Sequence, residues 1–74
     1  MTEKEIIKVL LFIAKKEQQT SAVYHLEYTG KYEEERRNLN TKNTPFYRQM
    51  ADSTLKHSAE LLECIQFLEE KLAE

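Results

Sequence analysis

A chain of 74 residues with a single cysteine, a single glycine and a single proline has room for one domain, cannot form an internal disulfide, and holds too few turn residues for the repeated reversals of a sheet. Its 41% hydrophobic and 32% charged residues exclude a disordered tail, and a net charge of −2 lacks the basic excess of a nucleic-acid binder. Chains this short build a core worth only about 3–5 kcal/mol unaided, so helix packing or self-association must supply the rest. A lone thiol fits a reducing compartment, and the expected location is cytoplasmic.

The first predicted element opens on a capping box. Thr2 can accept from the amide of residue 5, and Glu5 can reach back to the amide of Thr2. Ile6, Leu10 and Ile13 then begin a row that continues through Glu17, Ser21, Tyr24, Tyr28, Tyr32, Glu35 and Leu39. Its steps of three and four are the period of a helix. The stretch from Ile6 to Ala14 is apolar except at Lys8. It is far too short to span a membrane and lacks the small-residue cleavage site of a signal peptide. Gly30 interrupts the pattern. Glycine usually stands just past a helix end, but inside a helix it costs only about 1 kcal/mol, and the tyrosine row keeps its spacing across it. The expectation is one helix over about 3–38, bent at Gly30, with a break there as the competing reading.

The turn-rich stretch from Asn38 to Thr44 supplies a loop over about 39–44. The second helix follows over about 45–73, with Thr44 as N-cap and Pro45 at its first position. Its seam runs through Tyr47, Ala51, Thr54, Ser58, Leu61, Ile65, Leu68 and Leu72, alternating by four and three. A short loop makes the helices antiparallel neighbours. A loop centred near residue 41 sets Leu72 beside Leu11, Leu61 beside Ala22 and His57 beside Leu26. At about 1.5 Å per residue the helices are roughly 54 and 43 Å long.

The fold expected is all-α: one domain over residues 1–74, an antiparallel hairpin of two long helices that dimerises into a four-helix bundle. Ile6, Ile7, Val9, Leu10, Leu11, Phe12 and Ile13 surround the first helix, and a helix apolar all round must be buried all round. One partner helix cannot do that. A second copy can, with Ile6, Val9, Leu10, Ile13, Leu61, Ile65, Leu68 and Leu72 as the dimer core.

Three clusters are candidates for function. Tyr28, Tyr32, Arg36, Arg37, Phe46, Tyr47 and Arg48 gather near the loop, and Tyr and Arg are the residue types of binding hot spots; the plainer reading is that the tyrosines fill the seam. His25 and His57 are expected at one level, with Glu60 three residues beyond His57. These are the residues a metal would have to use, but the Glu-x-x-His spacing of di-metal bundles is absent, since residue 54 is Thr and residue 22 is Ala. No metal or other cofactor is assigned. Lys31, Arg36, Arg37, Lys42, Arg48 and Lys56 cluster by the loop, but Glu33, Glu34 and Glu35 interrupt them, which disfavours nucleic acid. Cys64, among Leu61, Ile65 and Leu68, reads as a small buried hydrophobe with no base beside it, so no enzyme is expected. The expected function is a small helical interaction module, an adaptor, inhibitor or regulator that binds itself and another protein. The alternative is a bundle holding a metal or a nucleotide-like ligand.

Overall fold

A computed structural model describes residues 1–74 as two helices, α1 (Glu3–Arg37) and α2 (Thr44–Ala73), with no strand. They pack side by side and antiparallel. Gln18 Nε2 donates to Ser58 Oγ at 3.1 Å, His25 Nδ1 lies 2.8 Å from the Ala51 carbonyl oxygen, and the Tyr28 and Phe46 rings meet nearer the loop. A carbonyl only accepts, so Nδ1 is the donor in this contact.

The helix ends follow from local chemistry. At the start of α1 the Glu5 amide donates to Thr2 Oγ1 at 3.2 Å. The Glu5 carboxylate accepts from the Thr2 hydroxyl rather than from its amide, so half of the capping box forms. Gly30 neither ends nor breaks α1: the helix is continuous through it, and its φ is not positive. The left-handed residue is Leu39, with φ 58°. Its amide donates to the Arg36 carbonyl, and the Asn40 amide donates to the Glu35 carbonyl at 2.9 Å. This pair of bonds is the Schellman closure, in which glycine is the usual left-handed residue. At the start of α2 the N-cap is Asn43 and not Thr44. The Thr44 hydroxyl donates back to the Thr41 carbonyl at 2.9 Å, which ties down the loop and leaves the helix end without a side-chain cap.

The α2 seam holds Tyr47, Ala51, Thr54, Ser58, Leu61, Ile65, Leu68 and Leu72, all buried or half-buried. The α1 seam is Ile7, Leu11, Ala14, Gln18, Ser21, His25, Tyr28, Tyr32 and Glu35. The expected row of Ile6, Leu10, Ile13 and Glu17 is therefore off by one residue, and those side chains are exposed. Hydrophobicity cannot choose a face where the helix is apolar nearly all round. The small residues choose it: Ala14 and Ser21 on α1, and Ala51 and Ser58 on α2, are four of the six buried residues, and they let the backbones approach.

The pairing also differs from expectation by one heptad. Leu11 and Ala14 share a cluster with Ile65, and His57 stands beside Glu17 instead of Leu26. A slip of seven keeps every seam residue on the seam, so periodicity alone cannot detect it. The loop causes the slip by running back along α1, so that Thr44 and Pro45 line a cleft with Tyr32.

The molecule is a thin rod. Its Cα atoms span 55 × 15 × 13 Å with a radius of gyration of 16.6 Å, against about 11 Å for a compact domain of this length. Only 6 of 74 residues are buried, and no large side chain is fully enclosed. Two helices bury one stripe each and leave the remaining faces to solvent.

Candidate interaction surfaces

Two ion pairs define the long edges of the rod. Glu17 Oε1 and His57 Nε2 meet at 3.4 Å, and Lys15 Nζ and Glu69 Oε1 meet at 3.5 Å. Lys15 and Glu17 flank the α1 seam on opposite sides, so the pairs mark opposite edges. Residues seven apart share an edge, which assigns the other side chains.

At the loop end an aromatic chain follows the Glu17–His57 edge. Tyr24 and Tyr28 stack with ring centres 6.4 Å apart. Phe46 meets Tyr28 edge-on at 6.5 Å, and Tyr47 meets Phe46 at 5.5 Å. Tyr32 and Arg48 lie elsewhere, on an open cleft of about 430 Å³ lined with Thr44, Pro45, Gln49 and Asp52. Arg48 is on the Glu69 edge by heptad spacing. The expected contact set is thus divided between two edges. Arg36 and Arg37 are exposed in the last turn of α1, where positive charge complements the helix dipole whatever else it meets. Tyr24 joins this chain as the first member of the tyrosine row, four residues before Tyr28.

The histidines are not at one level. His25 is half-buried on Ala51, and His57 is exposed on Glu17. The heptad slip in pairing separates them by about two helical turns. Glu60 belongs to neither: it lines a mostly apolar cleft with Glu63, Cys64, Phe67 and Leu68. No three His, Cys, Asp or Glu side chains gather as a metal would require. Cys64, expected to be buried, is exposed, because it stands on the edge beside the seam.

The open end of the rod carries the largest apolar exposure. Of the expected dimer core, Leu61, Ile65, Leu68 and Leu72 face α1 within the chain. Ile6, Val9, Leu10 and Ile13 are exposed, as are Phe12, Leu62 and Phe67. Lys16 and Lys71 lay their ammonium groups 6.0 Å and 5.7 Å from the ring centres of Phe12 and Phe67, a partial cover that the long stems permit. No helix is long and apolar enough to cross a membrane. No family model, curated protein or solved structure matches the chain.

Proposed function

We propose that this protein is a small helical interaction module that acts as a dimer, joined at the open end into a four-helix bundle, and that its loop end binds a different protein. It works as an adaptor, inhibitor or regulator and has no chemistry of its own. The observation that carries this reading is the accessible surface of 5911 Å². A folded monomer of 8.8 kDa exposes about 4,800 Å². The excess of about 1,100 Å² compares with the roughly 800 Å² that each partner buries in a standard interface, and Ile6, Leu10, Phe12, Ile13, Leu62 and Phe67 concentrate apolar exposure at the open end.

The loop end supports the second half of the proposal. Tyr28, Phe46 and Tyr47 on one edge, Tyr32, Arg36 and Arg48 on the other, and Arg37 in the last turn of α1 offer Tyr and Arg anchors to a partner that grips the tip. An exposed, unpaired Cys64 is at home in a reducing compartment, and we place the protein in the cytoplasm. Native mass spectrometry at micromolar concentration tests the core of the proposal. A species at twice 8.8 kDa is expected, and a monomer at all concentrations refutes it.

A further inference from the structure

The self-association just proposed has a geometry that one row of side chains specifies. On α2, Glu60, Cys64, Phe67 and Lys71 follow one another in steps of four, three and four, a single stripe along the helix. Cys64 and Lys71 are one and two heptads beyond His57, so the stripe lies on the Glu17–His57 edge. On α1 the same edge carries Ile6, Leu10 and Ile13, since Leu10 is one heptad before Glu17. The α2 stripe reads acid, apolar, apolar, base, and its midpoint falls between Cys64 and Phe67. The α1 row is centred on Leu10. Leu11 and Ile65 share one core cluster, so both midpoints lie at the same height on the rod.

We propose that this edge docks a second copy of the chain around a two-fold axis perpendicular to the helices, through Leu10 and the gap between Cys64 and Phe67. Each helix then lies antiparallel on its own copy. Glu60 meets the partner's Lys71, and Lys71 meets the partner's Glu60. Ile6 meets the partner's Ile13, and Leu10 meets the partner's Leu10. The partner's Phe67 enters the apolar cleft beside Cys64. That cleft is open to solvent, mostly apolar and about 430 Å³ in volume. Little opposes the rearrangement: in the free chain Lys71 pairs at 3.6 Å with Glu74, through side chains 44% and 69% exposed, and lies 5.7 Å from the centre of its own Phe67 ring, two exposed contacts of small worth. Glu3 comes opposite the partner's Glu17 at the exposed rim, where like charges cost little. An axis parallel to the rod is the other closed arrangement. It lays α2 over the partner's α1 and sets Glu60 against the partner's Glu17, with only the His57 already paired with Glu17 beside them.

The inference rests on the dimer reading, and charge reversal separates the two. Sedimentation equilibrium is run on the wild type, Glu60→Lys, Lys71→Glu and the double variant, with circular dichroism to confirm the helical fold. All the altered side chains are exposed. Each single variant is expected to raise the dimer Kd about tenfold, because two attractive pairs become repulsive. The double variant is expected to return to within about threefold of wild type. A wild-type dimer that Glu60→Lys tightens or leaves unchanged overturns the perpendicular axis and spares the dimer. A double variant that fails to recover also overturns it. A monomeric wild type overturns both.

Discussion

Leu39 holds φ 58° and exposes 85% of its surface, so it bears the cost of a left-handed backbone without burying its side chain. That conformation costs an L-residue about 1–2 kcal/mol. Leu39→Gly is therefore expected to raise stability by about 1 kcal/mol, less whatever the more flexible unfolded chain regains. Urea denaturation reads this as a higher midpoint at constant m-value; a lower midpoint would mean the leucine side chain holds the loop through contacts. Glycine marks where positive φ is cheap, whereas the bonds of the last turn decide where it is used, and that is why Gly30 drew attention in the sequence and Leu39 did not. The two histidines also part company at this scale. His25 bridges the helices through the Ala51 carbonyl from a half-buried site, so His25→Ala should cost about 1–2 kcal/mol. His57 and Glu17 form an exposed pair, and His57→Ala should cost less than about 1 kcal/mol. Thermal melts of both variants at one protein concentration compare them directly, and equal losses would contradict the assignment of His25 as a bridge.

At the scale of the elements, the helical hairpin was legible because apolar residues recur at three and four while turn residues cluster only between Asn38 and Pro45. The α2 seam was legible too, since the row from Tyr47 to Leu72 alternates by four and three without a break. The α1 seam was not. Between Ile6 and Ala14 too many faces are apolar, and the choice of Leu11 over Leu10 is made further along, where small residues admit the other backbone. The pairing of the helices was hidden for a related reason: a heptad slip changes no residue's face and depends on how far the loop runs back. That slip, in turn, is what separates His25 from His57 and divides the loop-end set between two edges. Gly30 offers a test of element continuity. A Cβ added there meets nothing within 4 Å, and the backbone is helical. Gly30→Ala should therefore stabilise the hairpin by about 0.5–1 kcal/mol. A loss in the same urea assay would show that α1 needs to bend there.

The whole molecule raises a question that no single residue answers, namely what covers the open end. A lone hairpin and a dimer give opposite forecasts for the same substitution. Ile13 is 55% exposed. On an isolated rod, Ile13→Glu changes a surface residue and should shift stability by no more than about 0.5 kcal/mol. In the dimer proposed above it would set a carboxylate against the partner's Ile6, and desolvating it without a partner charge is costly. Concentration separates the cases with a second, independent reading. Folding coupled to association makes the melting temperature rise with protein concentration. The wild type is expected to show that rise, and Ile13→Glu is expected to melt lower and at a temperature that no longer depends on concentration. A wild-type melting temperature that is flat over a hundredfold concentration range, matched by Ile13→Glu, would mean that the hairpin stands alone with its apolar edge open to solvent.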